Sequence, residues 1–160
     1  MKGAIGHKLR PNWLGVALAL ALILPGCSGV RSGSSFTGPL PGSAVAGISR
    51  DASERLAELY PPGHTVLYLT YPAEDKRQAG TTAFGELFEN SLRSKGFRIA
   101  PSAGSSPQVS WTVDALGDTD PPSSWYMRLQ VADKDGIRTV SRVYNSQGIP
   151  RGGFAEGRIE

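Results

Sequence analysis

The sequence predicts an α+β fold in which two helices pack on one face of a small, largely antiparallel sheet. The order of the predicted elements supports this: helix, strand, helix and strand, followed by another strand and a hairpin. Two segments have helical apolar spacing, and the others are rich in β-forming residues or alternate in polarity. In front of this domain, the sequence predicts a signal peptide and a flexible tether.

The N-terminal 26 residues have the pattern of a secretory signal peptide. Lys2, Lys8 and Arg10 form a basic opening, and no acidic residue precedes Asp51. An apolar run of 12 residues follows, at positions 13–24. As a helix it would measure about 18 Å, well short of the roughly 30 Å hydrocarbon core of a bilayer. A short apolar run behind a basic opening predicts a cleaved signal peptide rather than a membrane span.

The segment after the apolar run resembles the lipobox of bacterial lipoproteins. It reads Leu24-Pro25-Gly26-Cys27, with Pro25 departing from the usual small residue at its position. The resemblance implies cleavage between Gly26 and Cys27 and attachment of lipid to the Cys27 sulfur. Cys27 is the only cysteine, so an internal disulfide is impossible. Because each buried CH₂ contributes roughly 0.8 kcal/mol, two or more acyl chains would hold the protein firmly to a membrane.

Residues 27–48 are expected to form a lipid-anchored tether. They are rich in Gly, Ser and Pro and show no apolar period, which is typical of a flexible chain. The net charge of +3 lies in the signal peptide, because the remainder has 17 − 3 = 14 basic and 14 acidic residues. Proteins that bind nucleic acid present a basic patch or stripe. We therefore expect no direct contact with nucleic acid.

Two segments have the spacing of amphipathic helices. The first covers about residues 50–60, where Asp51 is placed to cap the helix and a Pro-Pro-Gly turn ends it. The second covers about residues 81–95, and Gly96 follows it where a helix end takes a positive φ. The apolar stripe of this second helix consists of Phe84, Leu87, Phe88 and Leu92.

The remaining regular segments are predicted strands. They cover residues 64–71, 97–100, 109–116, 125–132 and 137–144. The first is apolar on both faces, which suits a central strand, and the last two pair as a hairpin across Asp-Lys-Asp-Gly. The Gly-rich tail at 145–160 has no clear period, and we expect it to be loosely ordered. The folded domain is therefore expected at 49–144.

The sequence contains no constellation that points to catalysis, a metal or a cofactor. His64 is the only histidine outside the signal peptide, and it follows Pro-Pro-Gly, where it is most simply a turn residue. Nothing resembles a nucleophile elbow or a Gly-rich phosphate loop. The acidic clusters at 118–120 and 133–136 lack the closing glutamate of a calcium loop and suit turns. We expect a non-enzymatic protein without a cofactor.

Trp125 and Tyr126 are the candidate partner contacts. They are adjacent on a predicted strand, so their side chains are expected to point to opposite faces of the sheet. Tyr and Trp are favoured anchors at protein interfaces because they are large, rigid and amphipathic. One of the two is therefore a candidate surface contact.

With these elements placed, the sequence resembles the TrbH family of conjugal-transfer lipoproteins. The resemblance rests on the lipobox at Cys27, the tether, RLAELYPPGHT at residues 55–65 and LRSKGFRIAP at residues 92–101, and it extends to about Tyr144. It implies a non-enzymatic, lipid-anchored component of the mating-pair apparatus, a type IV secretion machine that moves plasmid DNA between bacteria. The implied partners are other secretion-channel or mating-pair proteins, besides the membrane itself.

Ser28 bears on the location and leaves an alternative open. A serine directly after the lipidated cysteine looks like the outer-membrane sorting signal of enteric bacteria, which implies an outer-membrane anchor facing the periplasm. The alternative is a different envelope lipoprotein, one that regulates or scaffolds cell-wall synthesis or another outer-membrane assembly. Genetic neighbourhood distinguishes the two, because a transfer protein belongs in a conjugation operon.

Overall fold

The computed structural model describes residues 35–37, 41–72, 79–117, 120 and 122–159, and only the backbone at 35–37 and 79–81. Within these ranges the chain forms two helices and one seven-stranded sheet. The helices are α1 (Gly42–Leu59) and α2 (Ala79–Ser94). The strands are β1 (Ser35–Thr37), β2 (Val66–Leu69), β3 (Arg98–Ile99), β4 (Gln108–Leu116), β5 (Ser124–Asp133), β6 (Gly136–Asn145) and β7 (Pro150–Ile159).

The sheet is mixed and mostly antiparallel, with the strand order β3-β2-β4-β5-β6-β7 and β1 beside β4. The four long strands from β4 to β7 pair antiparallel. The short strands pair parallel: β2 with β3 and β4, and β1 with β4. Helix α2 supplies the crossover that the parallel pair β2–β3 requires. The predicted central position of the strand after the first helix is confirmed, because β2 lies between β3 and β4.

Both helices pack on one face of the sheet, as the sequence predicts. Phe84 and Phe88 of α2 contact Trp111 of β4, each with its ring centroid 5.8 Å from that of the indole. The two helices also touch each other through the hydroxyls of Ser53 and Ser91, whose oxygens are 2.6 Å apart. The other large, fully buried core side chains include Ile48, Leu56, Leu67, Leu92, Met127, Leu129 and Trp125.

Helix α1 begins earlier than the sequence indicated. Pro41 is its N-cap residue, and the Pro41 carbonyl accepts bonds from the amides of Ala44 and Val45 at 2.9 and 3.1 Å. The predicted start near residue 50, with Asp51 as the cap, is wrong, and residues 42–48 belong to this helix rather than to the tether. The buried positions Val45, Ile48, Ala52 and Leu56 show why: the helical apolar period runs through the expected boundary.

The hairpin β5–β6 forms as predicted. Asp133 faces Gly136 across the turn, and its Oδ1 accepts a bond of 2.8 Å from the Asp135 amide. Gly136 has φ +119°, a conformation in which a Cβ would clash with the backbone. The predicted helix end at Gly96 is also confirmed, with φ +94°.

The expectation of a loosely ordered tail is wrong, because residues 150–159 form the long strand β7. It pairs antiparallel with β6 from Ile137 opposite Ile159 onward. The ladder uses backbone groups, so it needs no alternating apolar pattern in β7. A register shift near Ser141, together with Gly152 at φ +87°, bends the strand where it leaves the turn.

The β6–β7 turn lies directly against the first turns of α1. Gly148 has φ +77°, and a Cβ at this position would stand 2.6 Å from the Ala44 carbonyl oxygen. From the other side, a Cβ on Gly47 would stand 2.8 Å from the Gly148 carbonyl oxygen. Only two glycines allow the backbones to approach this closely.

Candidate interaction surface

The sheet has a face covered by the helices and a second face that we call the open face. The residues of β5 that face the helices are Trp125, Met127, Leu129 and Val131, all buried. Tyr126 and Arg128 lie between them on the opposite side and are half-buried. On strands β4 to β6 the open face comprises Ser110, Thr112, Asp114, Tyr126, Arg128, Gln130, Thr139, Ser141 and Val143.

The structure separates the two aromatic residues that the sequence singled out. Trp125 is fully buried in the core, so it offers no surface to a partner of the folded domain. Tyr126 lies on the open face between Asp114 and Val143 of the neighbouring strands. The prediction that the pair points to opposite faces is confirmed, and Tyr126 is the one that remains a candidate contact.

Arg128 adds a charged donor beside this tyrosine. It lies between Thr112 and Ser141 on the neighbouring strands. Its Nε is shielded from solvent and has no hydrogen-bond partner among the described residues. An unpaired guanidinium N–H is costly to bury and readily bonds a carboxylate or carbonyl. Tyr and Arg are the residue types, with Trp, that contribute most to protein interfaces.

Strand β7 provides a second open feature, the long outer edge of the sheet. Nine of its ten residues are exposed, and Phe154 alone is half-buried. The outermost strand of a sheet presents backbone N–H and C=O groups that its single neighbour leaves unpaired. The opposite edge strand, β3, has two residues. The edge at β7 is therefore the better template for another strand.

A polar cluster beneath β6 and β7 ties this edge to α1. Asp51 Oδ1 accepts a bond of 2.8 Å from Arg142, and Asp51 Oδ2 accepts one of 2.6 Å from the hydroxyl of Tyr144. The Asp51 and Arg142 side chains are only 16 % and 19 % exposed. A charged pair with so little solvent around it requires its partner, because either charge alone would be poorly hydrated.

The same arginine also holds β7 directly. Arg142 Nε donates a bond of 2.8 Å to the Gly152 carbonyl, and its guanidinium lies 4.5 Å from the ring centroid of Phe154. Arg55 of α1 adds an ion pair with Glu156 of β7. These contacts attach the edge strand to the helix through charges and one aromatic ring rather than through a large apolar surface.

The tyrosines that bond these carboxylates stay protonated at neutral pH. Burial, together with the bond to Asp51, raises the pKa of Tyr144 far above its ordinary value of 10.0. Burial and the bond to Asp133 raise the pKa of Tyr60 to about 12. Their hydroxyls therefore act as hydrogen-bond donors and have little capacity to act as bases.

A second polar cluster lies at the other end of the sheet. The hydroxyl of Tyr71 donates a bond of 2.6 Å to Glu89 Oε2, and Arg93 Nε donates one of 2.8 Å to Glu89 Oε1. The bond from Tyr71 is the main cause that lowers the pKa of Glu89. The cluster borders a shallow cleft of about 480 Å³ beside β2. Tyr71, Glu89 and Arg93 already bond one another, which indicates that this cluster has a structural role.

The residues considered for catalysis and metal binding do not converge in the described ranges. His64 is exposed in the turn before β2. Asp133 forms the hairpin turn described above, and Asp120 is exposed, whereas residues 118 and 119 lie outside the described part. In the described residues, three or more His, Cys, Asp or Glu side chains do not come together as a metal site would require.

Sequence reasoning missed Arg142 and the β7 edge. A signal for the arginine was present: it stands two residues from both Val140 and Tyr144 on β6, and those neighbours are buried against the helices. An arginine that alternates onto a buried face requires a partner there. For β7 the composition offered no such signal.

The predicted anchor falls outside the part of the chain that the structure describes. Gly26, Cys27 and Ser28 are outside the described residues, so lipid attachment stays a prediction. Among the helices that the structure describes, none has the length and apolar content needed to span a membrane.

Fold and surface together define a class: a small α+β domain with both helices on one face of the sheet and one long, exposed edge strand. The family model described as conjugal transfer protein TrbH matches residues 30–155. The chain therefore belongs to the TrbH family of conjugal transfer proteins. The match covers β1 to β6, both helices and the first six residues of β7, so it continues beyond Tyr144, where the resemblance was expected to end. No curated protein and no solved structure matches the chain.

Proposed function

We propose that this protein is a lipid-anchored, non-enzymatic component of a conjugal plasmid-transfer apparatus in the bacterial envelope. The observation that carries the proposal is membership of the TrbH family over residues 30–155. The signal-peptide pattern and the lipobox ending at Cys27 support the anchor. Ser28 supports a place at the outer membrane, facing the periplasm.

Within that apparatus, the open face is the docking surface for other transfer-channel or mating-pair proteins. Tyr126 supplies a rigid aromatic contact, and the half-buried Arg128 beside it supplies a guanidinium that can donate to a partner's carboxylate or carbonyl. Only residues 28–34 separate Cys27 from β1, and even a fully extended segment of seven residues spans at most about 25 Å, so the anchor would keep the domain close to the membrane surface.

Plasmid transfer tests the function and the anchor together. The gene is deleted from its conjugative plasmid and supplied in trans as wild type or as Cys27→Ser, and transfer frequency is measured with membrane fractionation of both strains. We expect wild type to restore transfer, and Cys27→Ser to leave the membrane fraction and fail. Undiminished transfer in the deletion strain would overturn the transfer role and favour the cell-wall alternative. Membrane fractionation of Cys27→Ser would overturn the anchor.

The docking surface has its own test within the same strains. Arg128→Ala and Tyr126→Ala are compared with Lys134→Ala, an exposed residue of the β5–β6 turn outside the open face. We expect the first two to lower transfer at least tenfold with unchanged protein levels, and the control to transfer normally. Equal transfer by all three variants would show that partners bind elsewhere.

A further inference from the structure

The outer edge of β7 has charges and apolar residues arranged to meet a second copy of the same strand. Glu156 and Arg158 lie on the side of the helices, because they face Val140 and Arg138 of β6. Ala155 and Ile159 lie on the open face, with Gly157 between them. Ile159 is 65 % exposed, more than the other exposed large apolar residues in the described ranges.

Symmetry limits how two such edges can join. Opposite residues of antiparallel strands share a face, so a twofold axis perpendicular to the sheet must place one residue opposite itself. An axis at Glu156 or Arg158 would bring like charges together. An axis at Phe154 or Ala155 would run the pairing into the bend at Gly152.

An axis at Gly157 gives favourable pairs over residues 155–159. Glu156 of each copy, which also pairs with Arg55 of its own chain, then faces Arg158 of the other copy, so the carboxylate is shared between two arginines. On the open face, Ala155 of each copy faces Ile159 of the other, so the exposed isoleucine gains an apolar neighbour. The residue on the axis has no side chain, and a Cβ added to it would meet nothing within 4 Å.

The surroundings of Arg158 favour an incoming carboxylate. Arg158 lies directly opposite Arg138, a like-charge pair that destabilises a sheet when it is uncompensated. Neither arginine has an ion pair among the described residues. In the described part of the chain, Arg158 donates to a backbone carbonyl alone, that of Asp135, at 3.0 Å. A cleft of about 280 Å³ lies here, lined by Arg138, Glu156, Gly157 and Arg158.

We propose that two copies of this protein join through their β7 edges into one continuous sheet, with Gly157 on the twofold axis and Glu156 of each copy facing Arg158 of the other. The proposal concerns self-association and stands whether or not the protein acts in plasmid transfer. The second copy supplies the carboxylate that enters the cleft beside Arg138.

Disulfide trapping in the full-length protein, in cells, tests the register. In Gly157→Cys the two Cα atoms would be about 4.5–5.5 Å apart, within the range of a disulfide. In the matched control Gly153→Cys, the two thiols would lie about 26 Å apart, because each residue is four positions from the axis. Both glycines face open space, so both variants should fold. Cys27 is present in every chain, and the wild type measures any dimer formed through it.

We expect Gly157→Cys to give at least ten times more oxidant-induced dimer than Gly153→Cys or the wild type. Equal trapping at both positions, or none at Gly157→Cys, would overturn the proposal.

A second experiment tests the charges: Arg158→Glu and Glu156→Arg, each combined with Gly157→Cys, are co-expressed with different tags.

Pairing of unlike variants restores both opposite-charge contacts, whereas pairing of like variants brings two like-charge contacts together. We therefore expect mixed-tag dimers to exceed same-tag dimers several-fold. Mixed and same-tag dimers in random proportion would contradict the Glu156–Arg158 pairing.

Discussion

Replacing Asp51 with asparagine is expected to lower the free energy of unfolding by about 2–3 kcal/mol. The change keeps an oxygen that can accept the bond from Tyr144 but removes the charge opposite Arg142, 2.8 Å away. Breaking a fully buried ion pair costs about 3–5 kcal/mol. We expect less here because the two side chains keep 16 % and 19 % exposure, which lets water reach the stranded guanidinium.

Urea unfolding of the purified protein, followed by tryptophan fluorescence, measures this loss. Trp111 and Trp125 are 1 % and 0 % exposed, so their emission reports the opening of the core. Lys134→Gln is the control, because its ion pair with Asp135 is highly exposed and contributes little.

A double-mutant cycle then isolates the contact. We expect the combined effect of Asp51→Asn and Arg142→Met to fall short of the sum of the single effects by about 1 kcal/mol or more. If Asp51→Asn costs no more than Lys134→Gln, the cluster does not hold α1 against β6 and the reasoning is refuted.

Three further predictions concern packing and pH. Gly148→Ala is expected to lower the free energy of unfolding by about 2–3 kcal/mol, because Gly148 has a positive φ and the Ala44 carbonyl oxygen would lie 2.6 Å from the new Cβ. Gly153→Ala faces open space and is the near-neutral control in the same urea titration. The folded-state pKa of Glu89 lies below its ordinary 4.5, so the stability that this carboxylate contributes is present above pH 4.5 and is lost as the pH falls through the folded-state pKa. Glu89→Gln should therefore flatten the decrease of unfolding free energy in acid, and an unchanged decrease would argue against the hydrogen bond from Tyr71. The pKa of Tyr60 is raised from 10.0 to about 12, so the stability that its hydroxyl contributes is present below pH 10 and is lost as the pH rises toward 12. Tyr60→Phe should reduce this loss of stability in alkali, measured as the unfolding midpoint against pH.

The elements whose apolar residues recur at a regular spacing could be predicted from the sequence alone. The hairpin β5–β6 alternates strictly and has a turn that suits its geometry, so its position was predicted to within one residue at each end. The opposite orientations of Trp125 and Tyr126 followed from the same period of two. Helix α2 was found through its stripe of Phe84, Phe88 and Leu92. The family was also recognisable from sequence runs, and its match confirms that resemblance.

The sequence contained a signal for the early start of α1, but the composition of the same segment indicated a tether and led to the wrong prediction. Gly, Ser and Pro up to residue 47 indicated a tether, yet Val45 and Ile48 continue the apolar period of the helix. Helix propensity is a weak preference that burial overrides. The cost of Gly47 inside the helix is offset because it lets the β6–β7 turn approach the backbone of α1.

By itself, the sequence determined the α+β class, the order of most elements and the family, because periodicity and sequence runs are local properties of the chain. Only the tertiary structure decided that residues 150–159 form an edge strand, since β7 exists through backbone bonds to β6 and carries no pattern of its own. Tertiary structure also decided the role of Asp51, which the sequence placed at a helix cap. Its partners Arg142 and Tyr144 are 91 and 93 residues away along the chain, and only folding brings those charges to one place.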